Sequence, residues 1–384
     1  MKGLVLGGGG ARGSYQVGVW KALEQLDWKP GVITGTSVGS LNGAMLTAGK
    51  VEELEQLWLT LTPQEVAVYP PEPQEKDKWR TFMLELIQSG GLDVTPLQNQ
   101  IDQYLEEEET RNSPIKFGLV TVEMRGLKPH ELTLEEIPRG KLGDYLMASS
   151  ACFPAFRPRE IDGVKYIDGG YTDNMPFHLA ARMGATELLC VDLNGIGINR
   201  INNTGLPTKV IGSRWSLGGL LTFSPENAKR NIALGQLDCL RSFGRYEGEW
   251  YALTPDPEFW ADLGDAVGVA ASQAVQRMAG SGLAGLMEGA ASLSQSLDLS
   301  QKLALPTLER EARELDLDPT IVYTPRQLGR RVLEESGEGA TKIRKLLFGE
   351  EDPITLGENA QILSRPAWLG QAVVCQALGW ILQE

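Results

Sequence analysis

The chain has 384 residues, of which 42% are hydrophobic and 22% are charged, and it carries a formal net charge of −14 at pH 7. This length exceeds one ordinary hydrophobic core and predicts two domains. The negative charge makes nucleic acid an unfavourable partner and excludes electrostatic attraction of the whole molecule to an anionic membrane.

The apolar residues do not form long runs. The sequence has no stretch of about eighteen consecutive apolar residues that would span a membrane. The apolar start at residues 1–6 is shorter than the roughly seven to fifteen residues of a signal-peptide core, so we expect a cytoplasmic protein. The four cysteines form no C-x-x-C pair, which predicts reduced thiols rather than a metal or redox site.

Short apolar runs that end in glycine clusters predict a strand–turn–helix order at the start of the chain. Two such units in the first fifty residues are typical of an α/β fold with a largely parallel sheet. In chain order, strands are predicted at 2–6, 32–34, 117–122, 164–167, 187–192 and 250–253, helices at 15–23, 37–48, 51–61, 96–105 and 142–149, and a loop at 69–73.

The composition changes after Pro257. Residues 262–300 are rich in alanine, glycine, serine and leucine, and the patterns at 309–315 and 342–347 are helical. We therefore predict a first domain at 1–257, which ends with the strand at 250–253, and a mostly α-helical domain at 258–384. The alternative for the alanine- and glycine-rich tract is a mobile segment.

A G-x-S-x-G motif, Gly35-Thr36-Ser37-Val38-Gly39, follows the second predicted strand and precedes a predicted helix. A serine on a sharp strand-to-helix turn projects its hydroxyl into a site, and glycines on either side avoid crowding there. The helix that begins at this serine presents free N–H groups and a positive dipole end, which favour a nucleophilic alkoxide. The motif also arises by chance in a glycine-rich chain, and the alternative is a structural turn with an N-capping serine.

A glycine-rich run at residues 8–13 (GGGARG) follows the first predicted strand. Backbone without side chains lets N–H groups point at a developing negative charge, as an oxyanion hole requires. The same run matches the G-x-G-x-x-G of dinucleotide-binding proteins through Gly8, Gly10 and Gly13. However, no acidic residue ends a second strand about twenty residues later, where the partner of a ribose is expected. An oxyanion hole, a dinucleotide site and a structural turn therefore stay open.

The strand predicted at 164–167 leads into Asp168-Gly169-Gly170. This places a carboxylate at the end of a strand, and the two glycines allow the backbone to turn sharply. Asn174 and Pro176 then suit the start of a helix, with Asn174 near the cap and Pro176 in the first turn. Taken alone, the segment is better explained as an ordinary strand-to-helix loop.

Together, these segments resemble the patatin-like phospholipase family. That family combines a glycine-rich oxyanion segment containing a basic residue, a G-x-S-x-G motif and a D-G-G or D-G-A motif. Residues 148–156 (ASSACFPAF) are also similar to its A-S-S-A-x-x-P element. Order and spacing agree in all four segments, over roughly residues 1–255, and we recognise no family in 258–384. The resemblance implies a three-layer α/β/α sandwich with a mainly parallel sheet for the first domain.

The resemblance also implies a serine acyl-hydrolase with a serine–aspartate dyad. Ser37 would be the nucleophile and Asp168 the base, and ester cleavage would pass through an acyl-enzyme. The implied oxyanion hole consists of Gly8, Gly9, Gly10, Arg12 and Gly13, and the implied nucleophile elbow includes Gly35 and Gly39. Arg12 would hold the glycine loop or attract a lipid phosphate, with a plain surface charge as the alternative. No metal or organic cofactor is implied, and the implied substrate is a fatty acyl ester of a phospholipid or other membrane lipid.

The histidine content agrees independently, since His130 and His178 are the only histidines in the sequence. In a serine–histidine–aspartate triad, a histidine takes the proton of the serine. His130 is expected in a polar loop and His178 inside a helix, and neither belongs to a recognisable motif. Asp168, at a strand end beside glycines, is better placed to accept the proton of Ser37 directly.

Two other functions remain open: a nucleotide-binding protein that uses the glycine-rich run, and a catalytically inactive scaffold that binds partners through its helical domain. If the chain acts on lipid, apolar contacts must make a transient, peripheral contact with the membrane, because the net charge is negative. The segment at 215–223 (WSLGGLLTF) combines large apolar groups with glycines. We predict that it forms a mobile flap near the site that makes this contact. The alternative is that the segment packs into the core or between the domains.

Overall fold

The computed structural model describes residues 1–68, 90–278, 297–349 and 366–382, together with residues 358, 362 and 364. The loop predicted at 69–73 lies outside these residues, as do residues 279–296 of the alanine- and glycine-rich tract. The chain divides into two compact units, residues 1–242 and 243–384.

An eight-stranded mixed sheet forms the centre of the first unit. Its strands are β1 (Lys2–Leu6), β2 (Val32–Thr36), β3 (Lys116–Glu123), β4 (Lys128–Thr133), β5 (Arg159–Ile161), β6 (Val164–Asp168), β7 (Glu187–Asp192) and β8 (Thr208–Gly212). They follow the order β5–β6–β3–β2–β1–β7–β8, and β4 pairs with β3. The pairs that join β3, β2, β1, β7 and β8 are parallel, whereas β4, β5 and β6 pair in antiparallel fashion.

Nine helices of the first unit lie in the part of the chain that the structure describes. They are α1 (Ser14–Gln25), α2 (Val38–Thr47), α3 (Val51–Thr60), α4 (Pro63–Val66), α5 (Thr95–Tyr104), α6 (Glu107–Asn112), α7 (Leu142–Ser149), α8 (Phe177–Arg182) and α9 (Pro225–Ser242). Short 3-10 helices also occur at Gly10–Gly13 and Gly169–Tyr171.

Helices cover both faces of this sheet. Consecutive residues of a strand point to opposite faces, and a parallel sheet needs both faces buried. In β1, Val5 belongs to a buried cluster with Phe177 and Leu179 of α8. The next residue, Leu6, faces α2, where a side chain added at Gly43 would meet Leu6 at 3.5 Å. The first unit is therefore a three-layer α/β/α sandwich with a mainly parallel sheet, which confirms the predicted fold.

The central strand β2 is buried along its whole length, although it contains two threonines. Their hydroxyls satisfy backbone carbonyls of the loop that follows β6. Thr34 Oγ1 donates to the carbonyl of Pro176 (3.2 Å), and Thr36 Oγ1 donates to that of Asp173 (2.9 Å). These hydrogen bonds hold the loop after β6 against β2, close to the end of β2 that leads into the G-x-S-x-G motif.

That loop differs from the predicted strand-to-helix turn. Helix α8 begins at Phe177 with Pro176 at its N-cap, so Asn174 does not cap the helix and Pro176 lies before its first turn. The backbone of Asn174 instead joins two other loops. Its N–H donates to the carbonyl of Ile198 (2.8 Å), and its carbonyl accepts from the N–H of Gly8 (3.4 Å).

The second unit is mostly helical within the described residues, as predicted. Its helices are α10 (Pro257–Met278), α11 (Leu297–Glu314), α12 (Pro325–Glu335), α13 (Glu338–Phe348) and α14 (Pro366–Ile381), and its two strands are β9 (Ala252–Leu253) and β10 (Val322–Tyr323). The two strands form a separate parallel pair.

The predicted strand at 250–253 is real but does not close the first domain. It forms β9, which pairs with β10 of the second unit. One carboxylate oxygen of Glu309 in α11 also accepts the backbone N–H groups of Glu249, Trp250 and Tyr251. These contacts place the division between the compact units after residue 242, earlier than the boundary predicted after 257. Apolar patterning does not show which sheet a two-residue strand joins.

Candidate active site

Ser37 occupies the sharp turn between β2 and α2. Its backbone dihedrals, φ 57° and ψ −130°, lie in a region that residues other than glycine rarely adopt. The flanking glycines make this turn possible, because at both positions another part of the backbone lies too close for a side chain. A Cβ at Gly35 would lie 2.2 Å from the carbonyl oxygen of Gly39, and a Cβ at Gly39 would lie 2.2 Å from that of Leu6. The G-x-S-x-G motif therefore builds a strained turn at Ser37.

Two serine hydroxyls hold the backbone of this turn. The N–H of Ser37 donates to Ser149 Oγ (3.0 Å), and Ser149 Oγ in turn donates to the carbonyl of Val120 (2.7 Å). Ser40 Oγ donates to the carbonyl of Ser37 (2.6 Å). Ser149 belongs to the A-S-S-A element noted in the sequence, but its contact with Ser37 has no sequence signal of its own.

The side chain of Ser37 meets Asp168, which lies 131 residues later in the chain. Ser37 Oγ donates to Asp168 Oδ2 at 2.6 Å, and the other carboxylate oxygen accepts the N–H of Gly170 at 2.8 Å. Asp168 is only 6% exposed. Burial raises the pKa of Asp168 to about 6, against the opposing effect of these two hydrogen bonds. The carboxylate is thus ionised at neutral pH and can accept a proton.

The sheet order explains how these two residues meet. In the register of β2 and β3, Thr36 lies opposite Val120. In the register of β3 and β6, Asp168 lies opposite Thr121, the next residue of β3. The end of β2 and the end of β6 are therefore brought together on adjacent residues of β3, and the turn at Ser37 opens beside the carboxylate.

The glycine-rich loop after β1 lies beside the same pair. Gly8 approaches closely, because a Cβ there would lie 3.0 Å from Ser37 Cβ and 2.5 Å from Asn174 Oδ1. Gly10 has a φ of +55°, and a Cβ there would lie 2.1 Å from the carbonyl oxygen of Leu220. Among the described residues, the N–H groups of Gly9 and Gly10 have no hydrogen-bond acceptor. These two amides are available to an anionic oxygen, whereas the amide of Gly8 is bonded to Asn174.

A cavity of about 310 Å³ connects these groups. Gly8, Gly9, Gly10, Ser37 and Asp168 contribute to its lining. The remaining lining is mainly apolar and includes Leu41, Met45, Leu54, Leu57, Trp58, Leu61, Ile101, Leu146, Phe156, Leu220 and Phe223. This volume falls within the range of small-molecule sites. The apolar walls suit an acyl chain and offer little to the pyrophosphate of a dinucleotide.

Residues 4–181 match the family model described as Patatin-like phospholipase. This part of the chain is a patatin-like phospholipase domain. The match contains the glycine-rich loop, Ser37 and Asp168, and it confirms the resemblance inferred from the sequence motifs.

Relatives share this patatin-like domain at modest identity. Patatin-like phospholipase domain-containing protein 6 of Mus musculus is 28% identical over 202 residues, which are 50% of this chain and 13% of that protein. Lysophospholipase nte1 of Aspergillus terreus is 28% identical over 212 residues, which are 51% of this chain and 12% of that protein. An uncharacterized NTE family protein of Mycobacterium tuberculosis is 26% identical over 192 residues, or 50% and 49% of the two chains. The chain therefore matches only a small part of the first two relatives.

Two solved structures are also similar to this chain. VipD from Legionella pneumophila has a TM-score of 0.38 at 15% identity, covering 99% of this chain and 90% of that chain. The type III effector protein ExoU has a TM-score of 0.35 at 16% identity, covering 99% of this chain and 77% of that chain.

Two residues predicted for the oxyanion hole have other contacts in the first unit. Arg12 Nε donates to the carbonyl of Gly218 (2.8 Å), and its Nη1 donates to those of Leu193 (3.2 Å) and Asn194 (2.7 Å). A Cβ at Gly13 would lie 2.5 Å from the side chain of Val38. Neither residue lines the cavity. Arg12 therefore clamps neighbouring loops, and Gly13 allows close helix packing.

The two histidines lie apart from Ser37 and Asp168. His178 Nε2 hydrogen-bonds to Asn203 Oδ1 at 2.6 Å. His130 lies on β4, 3.6 Å from a carboxylate oxygen of Glu123. Neither imidazole lines the cavity, so a histidine-based triad has no support in this geometry.

All four cysteines have free thiols. Cys152 lines the cavity. Although part of this residue is exposed to solvent, desolvation of its thiol, with a smaller contribution from the Asp168 carboxylate, raises the pKa of the thiol. This thiol is protonated at neutral pH and is therefore a poor nucleophile. Within the described ranges, no group of three or more His, Cys, Asp or Glu side chains is placed to hold a metal ion.

The predicted flap at 215–223 borders the cavity of the patatin-like domain. Leu220, Leu221 and Phe223 lie on its wall. The segment is tied down at several points: the carbonyl of Leu220 accepts the N–H of Ala11 (2.8 Å), and that of Gly218 accepts from Arg12. Leu220 is partly buried, whereas Leu221 is 39% exposed. These contacts place the segment on the cavity wall, and its mobility stays a prediction.

Proposed function

We propose that this protein is a serine acyl-hydrolase that cleaves fatty acyl esters of lipids with Ser37 and Asp168 as its catalytic dyad. The observation that carries this proposal is the 2.6 Å hydrogen bond from Ser37 Oγ to Asp168 Oδ2, beside an apolar cavity. The family match of residues 4–181 supports the same class of reaction.

The first half of the reaction forms the acyl-enzyme. Asp168 accepts the proton of Ser37 Oγ while Oγ attacks the carbonyl carbon of the ester. The carbonyl oxygen becomes an oxyanion, which the free N–H groups of Gly9 and Gly10 stabilise; one such donor typically contributes about 3–4 kcal/mol. When the tetrahedral intermediate collapses, the C–O bond to the alcohol breaks and the departing oxygen takes the proton from Asp168.

The second half releases the fatty acid. Asp168 accepts a proton from a water molecule, whose oxygen attacks the acyl carbon. Collapse of this second intermediate breaks the bond to Ser37 Oγ, which recovers the proton from Asp168. The enzyme returns to its starting state, and no step requires a metal ion or an organic cofactor.

The cavity points to a phospholipid or lysophospholipid as the substrate class. Its apolar walls would hold the acyl chain, while the ester lies beside Ser37 and the glycine loop. One relative carries the name lysophospholipase, which is consistent with this class. None of the helices in the described part of the chain combines the length and the apolarity that a membrane span needs. The cytoplasmic location and the transient membrane contact expected from the sequence remain predictions.

Hydrolysis of a short, monomeric p-nitrophenyl ester tests the dyad. Ser37→Ala and Asp168→Asn should each lose roughly 10³-fold or more in kcat, and the double variant should lose no more, because the two residues act as a unit. His130→Ala and His178→Ala are the matched controls and should retain most activity. Thermal melting should show that Ser37→Ala is folded like the wild type. The proposed dyad is wrong if His178→Ala is then as inactive as Ser37→Ala.

A further inference from the structure

The loop that follows β7 exposes three isoleucines. Ile196 is 86% exposed, Ile198 is 56% exposed and Ile201 is 85% exposed. Residues 195–201 are called the isoleucine loop below. Burying such a side chain in an apolar environment is favourable. A cluster of this kind on a protein surface typically marks an interaction site.

The backbone of the isoleucine loop is fixed against the catalytic loops. A Cβ at Gly195 would lie 2.1 Å from the carbonyl oxygen of Gly8, and a Cβ at Gly197 would lie 2.9 Å from that of Gly170. The N–H of Ile198 donates to the carbonyl of Gly170 at 2.8 Å. The alternating glycines thus face inward, where only a hydrogen fits, while the isoleucine side chains remain exposed.

The charge of the isoleucine loop decides which kind of surface it fits. Arg200 is the only charged residue in the sequence from 193 to 208. Its Nη1 pairs with Glu131 Oε1 at 2.6 Å, and its Nε donates to the carbonyl of Thr172 at 3.2 Å. The loop therefore presents apolar side chains without a free cation, on a chain whose net charge is −14. Such a surface suits a zwitterionic lipid layer and is not attracted to an anionic one.

The isoleucine loop is also continuous with the candidate active site. Ile196 lines the same cavity as Ser37 and Asp168, and so does Leu221 of the 215–223 segment, which is 39% exposed. An acyl chain that leaves a lipid layer at this rim would reach the cavity along apolar side chains. A protein partner would explain the exposed isoleucines, but it would not explain why Ile196 borders the acyl cavity.

We propose that the isoleucine loop docks the enzyme on zwitterionic lipid layers, with Ile198 and Ile201 inserted among the lipids and Ile196 at the entrance of the cavity. This proposal rests on the proposed acyl-hydrolase function.

Flotation with phosphatidylcholine vesicles tests the docking surface. The double variant Ile198→Ser/Ile201→Ser should bind these vesicles at least about tenfold more weakly than the wild type. The double variant Leu127→Ser/Val210→Ser removes two apolar side chains of similar exposure, 54% and 57%, that do not line the cavity, and should bind as the wild type does. Hydrolysis of the monomeric p-nitrophenyl ester should be unchanged in both, since none of the four residues lines the cavity.

Several results would overturn the proposal. Wild-type protein that ignores phosphatidylcholine vesicles, or an isoleucine variant that binds as tightly as the wild type, would show that the loop does not dock on lipid. Equal losses in both double variants, or stronger binding to phosphatidylglycerol vesicles, would contradict the assigned surface or its charge preference. If the isoleucine variant melts early, the single variant Ile201→Ser decides the question. A wild type that binds vesicles but cleaves no ester would refute the function and leave the docking surface standing.

Discussion

Ser37 adopts a backbone conformation that costs free energy, since φ is 57° for a residue with a side chain. Strain of this kind amounts to roughly 1–3 kcal/mol and persists where the surrounding structure enforces it. Here the enforcement comes from Ser149, which accepts the N–H of Ser37, and from Ser40, which donates to its carbonyl. We interpret the strain as the consequence of turning the hydroxyl toward Asp168.

Replacing Ser37 with glycine tests this interpretation. Ser37→Ala keeps a Cβ in this conformation and so retains the strain, whereas Ser37→Gly relieves it. Glycine also makes the unfolded chain more flexible, which lowers stability, but we expect this loss to be smaller than the gain from the relieved strain. In urea denaturation, Ser37→Gly should therefore be about 1 kcal/mol more stable than Ser37→Ala, and both should be inactive. Glycine at this position that is no more stable than alanine would show that the elbow is not strained.

The raised pKa of Asp168 predicts the pH dependence of the reaction. The base must be ionised, and burial raises the pKa of its carboxyl group to about 6. The value of kcat/KM should therefore be low below pH 6, rise through an inflection near pH 6 and reach a plateau above it. Steady-state kinetics on an uncharged ester measures this curve. Measurements from about pH 4.5 to about pH 8.5 cover both sides of the expected inflection.

A neighbouring carboxyl group provides the control for the pH profile. Burial also raises the pKa of Asp173 to about 6, but Asp173 does not line the cavity. Asp173→Asn should keep the inflection of the wild type, whatever its effect on stability. If the inflection disappears in Asp173→Asn, the titrating group is Asp173 and the assignment to Asp168 is wrong.

At the level of elements, the G-x-S-x-G turn depends on close packing of α2 against the loop after β1. Gly39→Ala would place a Cβ 2.2 Å from the carbonyl oxygen of Leu6, so we expect a loss of about 1–3 kcal/mol or more in the free energy of unfolding. Gly143 in α7 is the matched control, because a Cβ there meets its nearest atom at 3.6 Å. Gly143→Ala should be neutral or slightly stabilising in thermal melting. Equal stability of the two variants would contradict the close packing of α2 at Gly39.

The strand–turn–helix units at β1 and β2 could be predicted from sequence because continuous burial leaves a clear apolar run before each glycine cluster. The antiparallel strands β4 (KPHELT) and β5 (REI) could not, since they are short, polar and only partly buried. The different roles of the residues in the glycine-rich loop could not be predicted from sequence either. Arg12 and Gly13 share a motif with Gly9 and Gly10, and only their contacts show that one clamps loops and the other packs a helix.

For the whole molecule, residue types and their order were sufficient to predict the pairing of Ser37 with Asp168, because strand ends of one sheet converge. They were insufficient to place the division between the two units, since β9 joins a partner strand about seventy residues later. The isoleucine loop was also missed. Its three isoleucines alternate with glycine and polar residues, a pattern that resembles a buried strand until the exposure of the side chains is known.

Reaction with a fluorophosphonate probe tests the central claim most directly. Such a probe phosphonylates an activated serine, and mass spectrometry of the digested protein identifies the modified residue. We predict a single modification on Ser37, none in Ser37→Ala, and a rate at least roughly a hundredfold lower in Asp168→Asn, because the probe requires the base that activates the serine. Full modification of Ser37→Ala, or no labelling of a folded wild-type protein, would contradict the account of a Ser37–Asp168 hydrolase.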